Sequence, residues 1–138
     1  MMADNCIFCK IAEGSLSASI LYEDTRLMAI MDAFPATKGH VLIIPKAHAT
    51  DIFDLPEETA SAILPLAQQI ARKIKEELQP AGINILQNNG KAAGQVVGHY
   101  HLHVIPRYED DGMVIKHGNS CAMSKEEMAG VAEMLKHT

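Results

Sequence analysis

One stretch of nine residues constrains both the fold and the chemistry of this chain. It reads His99-Tyr100-His101-Leu102-His103-Val104-Ile105-Pro106-Arg107. Strict alternation of histidine with apolar residues is typical of a β-strand, because successive side chains of a strand point to opposite faces of the sheet. The three imidazoles would then project from one face, roughly 6 to 7 Å apart for each two-residue step, and the apolar side chains would enter a core on the other. The pattern predicts a strand at residues 99–105.

Three histidines on one strand face indicate a functional site. Burying three imidazoles together would leave hydrogen-bonding groups to satisfy and would bring no gain in packing. Three imidazoles can hold a catalytic zinc and leave a fourth position for an activated water. Alternatively, one neutral imidazole can attack phosphorus while its neighbours orient it and hold the phosphate. The histidines by themselves leave both chemistries open.

The segment that precedes the histidines favours phosphate as the ligand. Residues 88–95 read Asn-Asn-Gly-Lys-Ala-Ala-Gly-Gln. Backbone amides of glycine-rich turns and amide side chains bind phosphate oxygens without steric bulk. The sequence contains neither the glycine motif of a Rossmann fold nor that of a P-loop, so any phosphate site is of another type.

Four further segments are predicted as strands. Short apolar runs at residues 20–23 and 27–31 indicate a hairpin, since a polar turn separates them. A β-branched run at residues 41–44 predicts a third strand that stops at Pro45, and residues 83–87 predict the next one.

Two helices complete the prediction. Apolar residues recur at intervals of three and four over residues 56–79, which indicates one long amphipathic helix that begins at Pro56 and is kinked at Pro65. Ser124 followed by Glu127 is a capping-box pattern that opens a C-terminal helix. Strands around one long central helix predict an α+β fold, with residues 1–138 forming a single domain.

The charge of the chain excludes several classes of partner. Its 138 residues carry a net charge of −5, so no basic field attracts a nucleic-acid polymer or an anionic membrane. The sequence has no apolar run long enough to span a membrane, and Asp4 and Asn5 lie where a signal peptide would be basic and then apolar. We expect a cytoplasmic domain with a small-molecule ligand.

The two cysteines of the Cys6-Ile7-Phe8-Cys9 motif have the spacing of half a tetrahedral zinc site. A thioredoxin-like redox pair is the rival interpretation, but such a pair would follow a strand, and nothing strand-like precedes it. The sequence has no second pair of this kind, so histidines would complete the site, with His48 and His99 as candidates. If His99 binds a structural zinc, only two histidines of the strand remain for chemistry.

The remaining histidines and the third cysteine are less informative. His40 could support a catalytic ring or simply cap the third strand, since it follows Gly39 at the start of that strand. His117 and His137 have polar sequence neighbours and are expected to be solvated. Cys121 is expected to be a small, buried or half-buried residue.

On these residues the chain resembles the zinc-containing branch of the histidine triad (HIT) family of nucleotide hydrolases and transferases. Residues 99–105 match the family signature in full, and Pro106 and Arg107 follow it as in the family. The likeness extends to Asp32 with its proline-containing loop, to residues 38–45 and to the loop at 88–95. It says least from Tyr108 onward.

The resemblance implies a fold, a partner and a reaction. The fold would be a five-stranded antiparallel sheet with a long central helix and a C-terminal helix, and the sheet would continue across a homodimer. His101 would attack the α-phosphorus of a nucleotide, and water would release a nucleoside monophosphate from the covalent nucleotidyl-histidine. His103 would contact phosphate and His40 would support the ring. Nucleoside phosphoramidates or dinucleoside polyphosphates are the implied substrates.

The resemblance also implies residues for a purine nucleotide and for one structural zinc per subunit. The nucleotide contacts are Asp32 for the ribose, Asn88, Gly94 and Gln95 for the phosphate, and Ile7, Phe8, Ile11 and Ile30 for the base. The zinc ligands are Cys6, Cys9, His48 and His99. Val96 departs from the family pattern, because many members have Ser or Thr there. Two alternatives are a non-catalytic purine nucleotide-binding or interaction module and a metal-dependent hydrolase whose metal is held by all three triad histidines.

Overall fold

The structure is a computed structural model that describes residues 5–116, 118 and 120–136. Within these residues, three helices and five strands follow one another. They are α1 (Ile7–Glu13), β1 (Ile20–Glu23), β2 (Leu27–Met31), β3 (Val41–Pro45), α2 (Glu57–Leu78), β4 (Gly82–Gln87), β5 (Leu102–Arg107) and α3 (Lys125–Leu135), with a 3-10 turn at Lys91–Ala93. His117 and His137, which were expected to be solvated, lie outside the described residues.

The five strands form one sheet in the order β1-β2-β3-β5-β4, and every neighbouring pair is antiparallel. This confirms the predicted α+β class, with its five-stranded antiparallel sheet, long central helix and C-terminal helix. Among the described residues, no helix is both long and apolar enough to cross a membrane.

The central strands are apolar on both faces because a different helix covers each face. On one face the buried residues of α2 pack against the sheet, and Tyr100, Leu102 and Val104 belong to this cluster, as the alternation predicted. The cluster on the other face contains Phe8 and Ile11 from α1 and alternate residues of β2 and β3. Its strand members are Met28, Ile30, Leu42 and Ile44.

β5 differs from its prediction at both ends. It begins at Leu102, three residues later than expected, because the N–H of Tyr100 donates to the carbonyl of Ala49 at 2.7 Å and so binds a loop instead of a strand. It continues to Arg107 through Pro106. Proline has no N–H to donate, but β3 no longer pairs with β5 at Pro106. No hydrogen bond between these two strands is therefore lost.

No sequence pattern predicts α1. This helix has seven residues, which is too few to show a helical repeat of apolar positions. The Sγ of Cys6 accepts a hydrogen bond from the N–H of Cys9 at 3.4 Å and so caps its start. Gly14 ends it in the left-handed region at φ 86°, where glycine pays no Cβ penalty. The helix and its N-cap residue bring Cys6, Phe8 and Cys9 to the histidine face of the sheet.

α2 matches the predicted helix to within one residue at each end. Pro56 lies at its N-cap, the helix runs without interruption through Pro65, and Gln79 ends it at φ 49°. Its buried residues recur at spacings of three and four, as an amphipathic helix requires. They are Ile63, Leu66, Ala67, Ile70 and Ile74.

The C-terminal segment leaves the body of the domain after an anchor at Arg107. The guanidinium group of Arg107 donates to both carboxylate oxygens of Asp111, at 2.8 and 3.1 Å, and to the side chain of Asn84 at 2.8 Å. The Ser124 hydroxyl accepts from the N–H of Glu127 at 3.1 Å, which confirms the predicted cap of α3.

No residue of α3 is buried against the chain, although the helix has an apolar face. Cys121 is exposed as well, so the expectation that it is at least half-buried was wrong. The physical reason is that the segment beyond the Arg107 anchor does not return to either apolar cluster, and a small apolar side chain there meets solvent.

Candidate active site and metal centre

Four side chains with metal-binding atoms converge where α1 meets the triad. The Sγ atom of Cys6 lies 3.2 Å from Nδ1 of His99, and the Sγ atom of Cys9 lies 3.3 Å from Nδ1 of His48. The two Nδ1 atoms are 3.1 Å apart, and all four atoms lie within 4.8 Å of one another. The structure therefore brings together the four residues expected to bind zinc.

The donor set at this centre fits a shared cation better than hydrogen bonding. The Nε2 atom of His99 lies 2.8 Å from the carbonyl of Pro45, which can only accept, so Nε2 carries the proton and Nδ1 carries a lone pair. That single lone pair faces three neighbouring atoms at 3.1 to 3.5 Å. A tetrahedral zinc with bonds of about 2.3 Å to sulfur and about 2.0 Å to nitrogen spaces its ligands at similar distances.

Burial lowers the pKa of His99 to about 4, with the neighbouring His48 and His101 acting in the same direction and the bond to Pro45 opposing them. The imidazole is thus neutral at pH 7, which is the protonation state that binds a metal. The residues present fit a structural zinc site.

The second histidine of the triad is held in one tautomer by the first. Nδ1 of His101 lies 2.7 Å from the backbone carbonyl of His99. A carbonyl only accepts, so Nδ1 carries the proton and the Nε2 lone pair is available for attack. The ring is buried and lies 5.2 Å from the ring of Phe8, which also contacts His99 edge-on at 5.7 Å.

A chain of directed hydrogen bonds orients the third histidine. The N–H of Ala36 donates to Nδ1 of His40 at 3.0 Å, so the proton of this ring is on Nε2. That Nε2 lies 2.9 Å from Nδ1 of His103 and 3.5 Å from a carboxylate oxygen of Asp32. His103 then accepts at Nδ1 and has a proton on Nε2 that it can donate. The centroids of the His103 and His101 rings are 5.0 Å apart.

The imidazoles of His40 and His103 are neutral at pH 7. Burial lowers the pKa of His103 to about 4, with His101 and His40 acting in the same direction and Asp32 opposing them. Burial also lowers the pKa of His40, against the attraction of Asp32. A neutral imidazole has one donor and one acceptor nitrogen, so one neutral ring can donate to the next. Two imidazolium ions carry donors only and cannot bond to each other.

The residues expected to contact the base are only partly open to a ligand. Phe8, Ile11 and Ile30 are at least 92% buried, in the apolar cluster on the histidine face, whereas Ile7 is 46% exposed. Phe8 links this cluster to the triad through its ring contacts. Any base would therefore lie against the edge of the cluster.

Hydrogen bonds of Gln95 hold the loop that is expected to bind phosphate. The side chain of Gln95 accepts from the N–H of Gly90 and donates to the carbonyl of Thr50, and its backbone N–H donates to Gly90 as well. The amide of Asn88 lies beside Gly94, 3.5 Å from where a Cβ would stand. Phosphate contacts from Gln95 would require an exchange of these bonds.

Sequence reasoning missed the groups that set the imidazole tautomers. They are the N–H of Ala36 and the carbonyls of Pro45 and His99. Backbone groups occur at every residue and leave no signal in the residue types. Pro45 was the available hint. It ends β3, and the carbonyl of a residue at the end of a strand can accept from a side chain.

The three triad histidines do not form one metal site. In the part of the chain that the structure describes, metal-capable groups are the Cys6, Cys9, His48 and His99 cluster and a second set of Asp32, His40 and His103. His99 belongs to the first and His103 to the second. The geometry therefore places His99 with the cysteines and His103 with His40 and Asp32.

The sequence relatives have the same class of domain. The HIT domain family matches residues 13–110. The protein hit of Bacillus subtilis is 46% identical over 106 residues, which cover 77% of this chain and 73% of the relative. An adenosine 5'-monophosphoramidase of Schizosaccharomyces pombe is 37% identical over 129 residues, which cover 94% of each chain.

Solved structures agree with this class. A HIT family protein from Bacillus anthracis superposes with a TM-score of 0.89 at 44% identity, covering 98% of this chain and 97% of the other. A histidine triad nucleotide-binding protein from Candida albicans gives 0.85 at 34% identity, with 96% and 95% covered. A zinc-bound histidine triad protein from Mycobacterium smegmatis gives 0.75 at 38% identity, with 96% of each covered. The chain belongs to the HIT family.

Acid should destabilise the fold through His103. Its pKa is about 4 in the folded chain and about 6.5 in an unfolded one, so the unfolded state binds more protons between these values and the free energy of unfolding falls as pH drops from 6.5 towards 4. His103→Asn should make this pH dependence shallower. Urea unfolding at pH 7, 6 and 5 measures it, and equal slopes for both proteins would contradict the assignment.

Proposed function

We propose that this protein is a nucleotide hydrolase that cleaves at the α-phosphate through a nucleotidyl-His101 intermediate. The observation that carries the proposal is the 2.7 Å bond from Nδ1 of His101 to the carbonyl of His99, which places the proton on Nδ1 and leaves the Nε2 lone pair as the nucleophile. A neutral imidazole needs no further activation to attack phosphorus.

The reaction would take place in two displacements. Nε2 of His101 forms a bond to the α-phosphorus as the bond to the leaving group breaks, and the leaving group departs with the electron pair and takes up a proton. Water then attacks the same phosphorus, releases the nucleoside monophosphate and restores the imidazole. The Nε2–H of His103, oriented through His40, would stabilise the phosphate oxygens as their charge develops.

The proposed substrate is a purine nucleotide linked to an amine or to a second nucleotide through phosphates. The adenosine 5'-monophosphoramidase relative and the nucleotide-binding structure support it. Asp32 would bind the ribose hydroxyls, and Phe8 and Ile30, with Ile7 and Ile11, would contact the base. Asn88, Gly94 and Gln95 would contact the phosphate. The net charge of −5 requires that such contacts be local, since the protein as a whole repels an anion.

His101→Ala should lower kcat for an adenosine phosphoramidate by about a thousandfold or more, because no other group replaces the nucleophile. AMP affinity, measured by calorimetry, should change little. Denaturing the unmodified protein in alkali during turnover should trap AMP on His101, detected by mass spectrometry, because the P–N bond of a phosphohistidine withstands base and hydrolyses in acid. Residual hydrolysis within tenfold of the unmodified protein would overturn the proposal. AMP binding without turnover or a trapped adduct would identify the non-catalytic module instead.

We also propose that one structural zinc per subunit is held by Cys6, Cys9, His48 and His99. The convergence of these four atoms supports it, as does the zinc-bound relative. Zinc would supply the positive charge that two thiolates and two imidazole lone pairs require when they face one point. It would connect α1 to the loop after β3 and to the triad.

Removing a ligand should remove the metal. Cys9→Ser should lower the zinc content from about one per chain to nearly none and should lower the melting temperature, because bound metal stabilises only the folded state. Cys121→Ser is the matched control, since this exposed cysteine lies outside the cluster. Elemental analysis of both proteins decides; a metal-free unmodified protein would refute the zinc site.

A homodimer is proposed through the β4 edge of the sheet. β4 is an edge strand, and an edge strand presents unpaired backbone groups that a second strand can bind. Beside it, Ile85 is 45% exposed and Leu64 is 63% exposed. With Pro65, Gln68 and Ala71 they line an open groove of about 410 Å³. Two copies related by a two-fold axis would cover both features at once.

Ile85→Lys should convert the dimer to a monomer, because it places two like charges in the centre of a two-fold interface. Leu21→Lys is the matched control, since Leu21 is 47% exposed on β1, the opposite edge of the sheet. Light scattering coupled to size-exclusion chromatography measures both masses. A dimer that survives Ile85→Lys would place the interface elsewhere.

A further inference from the structure

The three cysteines of the chain differ in their surroundings. Cys9 is 1% exposed, Cys6 is half-buried, and Cys121 is exposed outside the metal centre. Cys6 is therefore the less buried of the two paired cysteines. A small oxidant would approach the pair from the side of Cys6.

Cys6 and Cys9 also have the geometry for a bond to each other. They are the N-cap and the third residue of α1, and the Sγ of Cys6 already turns towards the N–H of Cys9. Side chains three residues apart on a helical turn have Cβ atoms about 5 to 6 Å apart, and small rotations and a local shift bring them to the separation of a disulfide. Both residues belong to one short element, so the sheet need not move.

We propose that Cys6 and Cys9 are a reversible oxidation site whose disulfide releases the zinc and weakens nucleotide binding. The oxidant would be a hydroperoxide. The effect on the nucleotide rests on the proposed function, since it requires the nucleotide to bind beside Phe8. The disulfide does not depend on that function, and the loss of metal rests on the proposed zinc site alone.

The chemistry takes place in two steps. The Cys6 thiolate attacks a peroxide oxygen, the O–O bond breaks, and the departing hydroxide takes a proton to become water. The Cys9 thiolate then attacks the sulfur of the Cys6 sulfenic acid and displaces hydroxide, which is protonated to a second water. In sum, two thiolates, one hydrogen peroxide and two protons give one disulfide and two waters; the sulfurs lose two electrons and the peroxide gains them.

Oxidation removes the thiolate ligands, because a disulfide sulfur carries no negative charge to hold the metal. Two imidazoles then remain, and the contacts of α1 with His48 and His99 are lost. Phe8 lies between these two cysteines in sequence and contacts the rings of His99 and His101. A shift of α1 would therefore move Phe8, which contacts both the proposed zinc ligand His99 and the proposed nucleophile His101.

The test uses the full chain with Cys121→Ser, whose only thiols are Cys6 and Cys9. Hydrogen peroxide should lower its intact mass by two hydrogens, release one zinc per disulfide to a colorimetric chelator, and weaken AMP binding by about tenfold in calorimetry. Dithiothreitol with added zinc should restore all three. The chain with Cys6→Ser and Cys121→Ser is the control, since one thiol cannot close an internal disulfide.

Overoxidation to sulfinic acid without a disulfide would overturn the proposal, as would a disulfide that forms without loss of zinc. A disulfide with zinc release but unchanged AMP affinity would refute the link to the nucleotide. If the reduced chain does not bind AMP, the proposed nucleotide site fails, while mass and zinc release still decide whether the oxidation site exists.

Discussion

Residue His99 joins the two chemistries of this domain, because its side chain and its backbone act in different directions. Its imidazole donates to Pro45 through Nε2 and turns the Nδ1 lone pair to the cysteines. Its carbonyl accepts from Nδ1 of His101 and so leaves the Nε2 lone pair of this proposed nucleophile available. A change in the position of His99 would therefore alter both the proposed metal centre and the proposed reaction centre.

The sheet supports this arrangement through two different helices. α2 buries the apolar side chains that alternate with the histidines, which gives the triad strand one dry face. The short helix α1 covers part of the other face and depends on its cysteines and on Phe8 for its position. Stability and chemistry are thus divided between the faces, and the face that carries chemistry has the less extensive packing. Through that division, the proposed oxidation of two thiols on this face would affect the proposed nucleotide site.

Most of the fold could be predicted from local patterns. The hairpin, the third strand and α2 lie within a residue of their predicted bounds, since each is long or regular enough to show its period. α1 escaped because seven residues carry no detectable repeat. The start of β5 was wrong because periodicity reports which face a side chain takes, whereas a strand also requires a neighbouring strand, and before Leu102 the neighbour is the loop at Ala49.

The sequence by itself determined the chemistry that is available: three alternating histidines, a cysteine pair and an apolar complement that places the histidines on one face. Only the tertiary structure decided how they are divided, since His99 turns to the cysteines while His103 turns to His40. The groups that set these ring orientations are backbone carbonyls and amides, which do not differ between residue types. They act through position alone, and position exists only once the chain has folded.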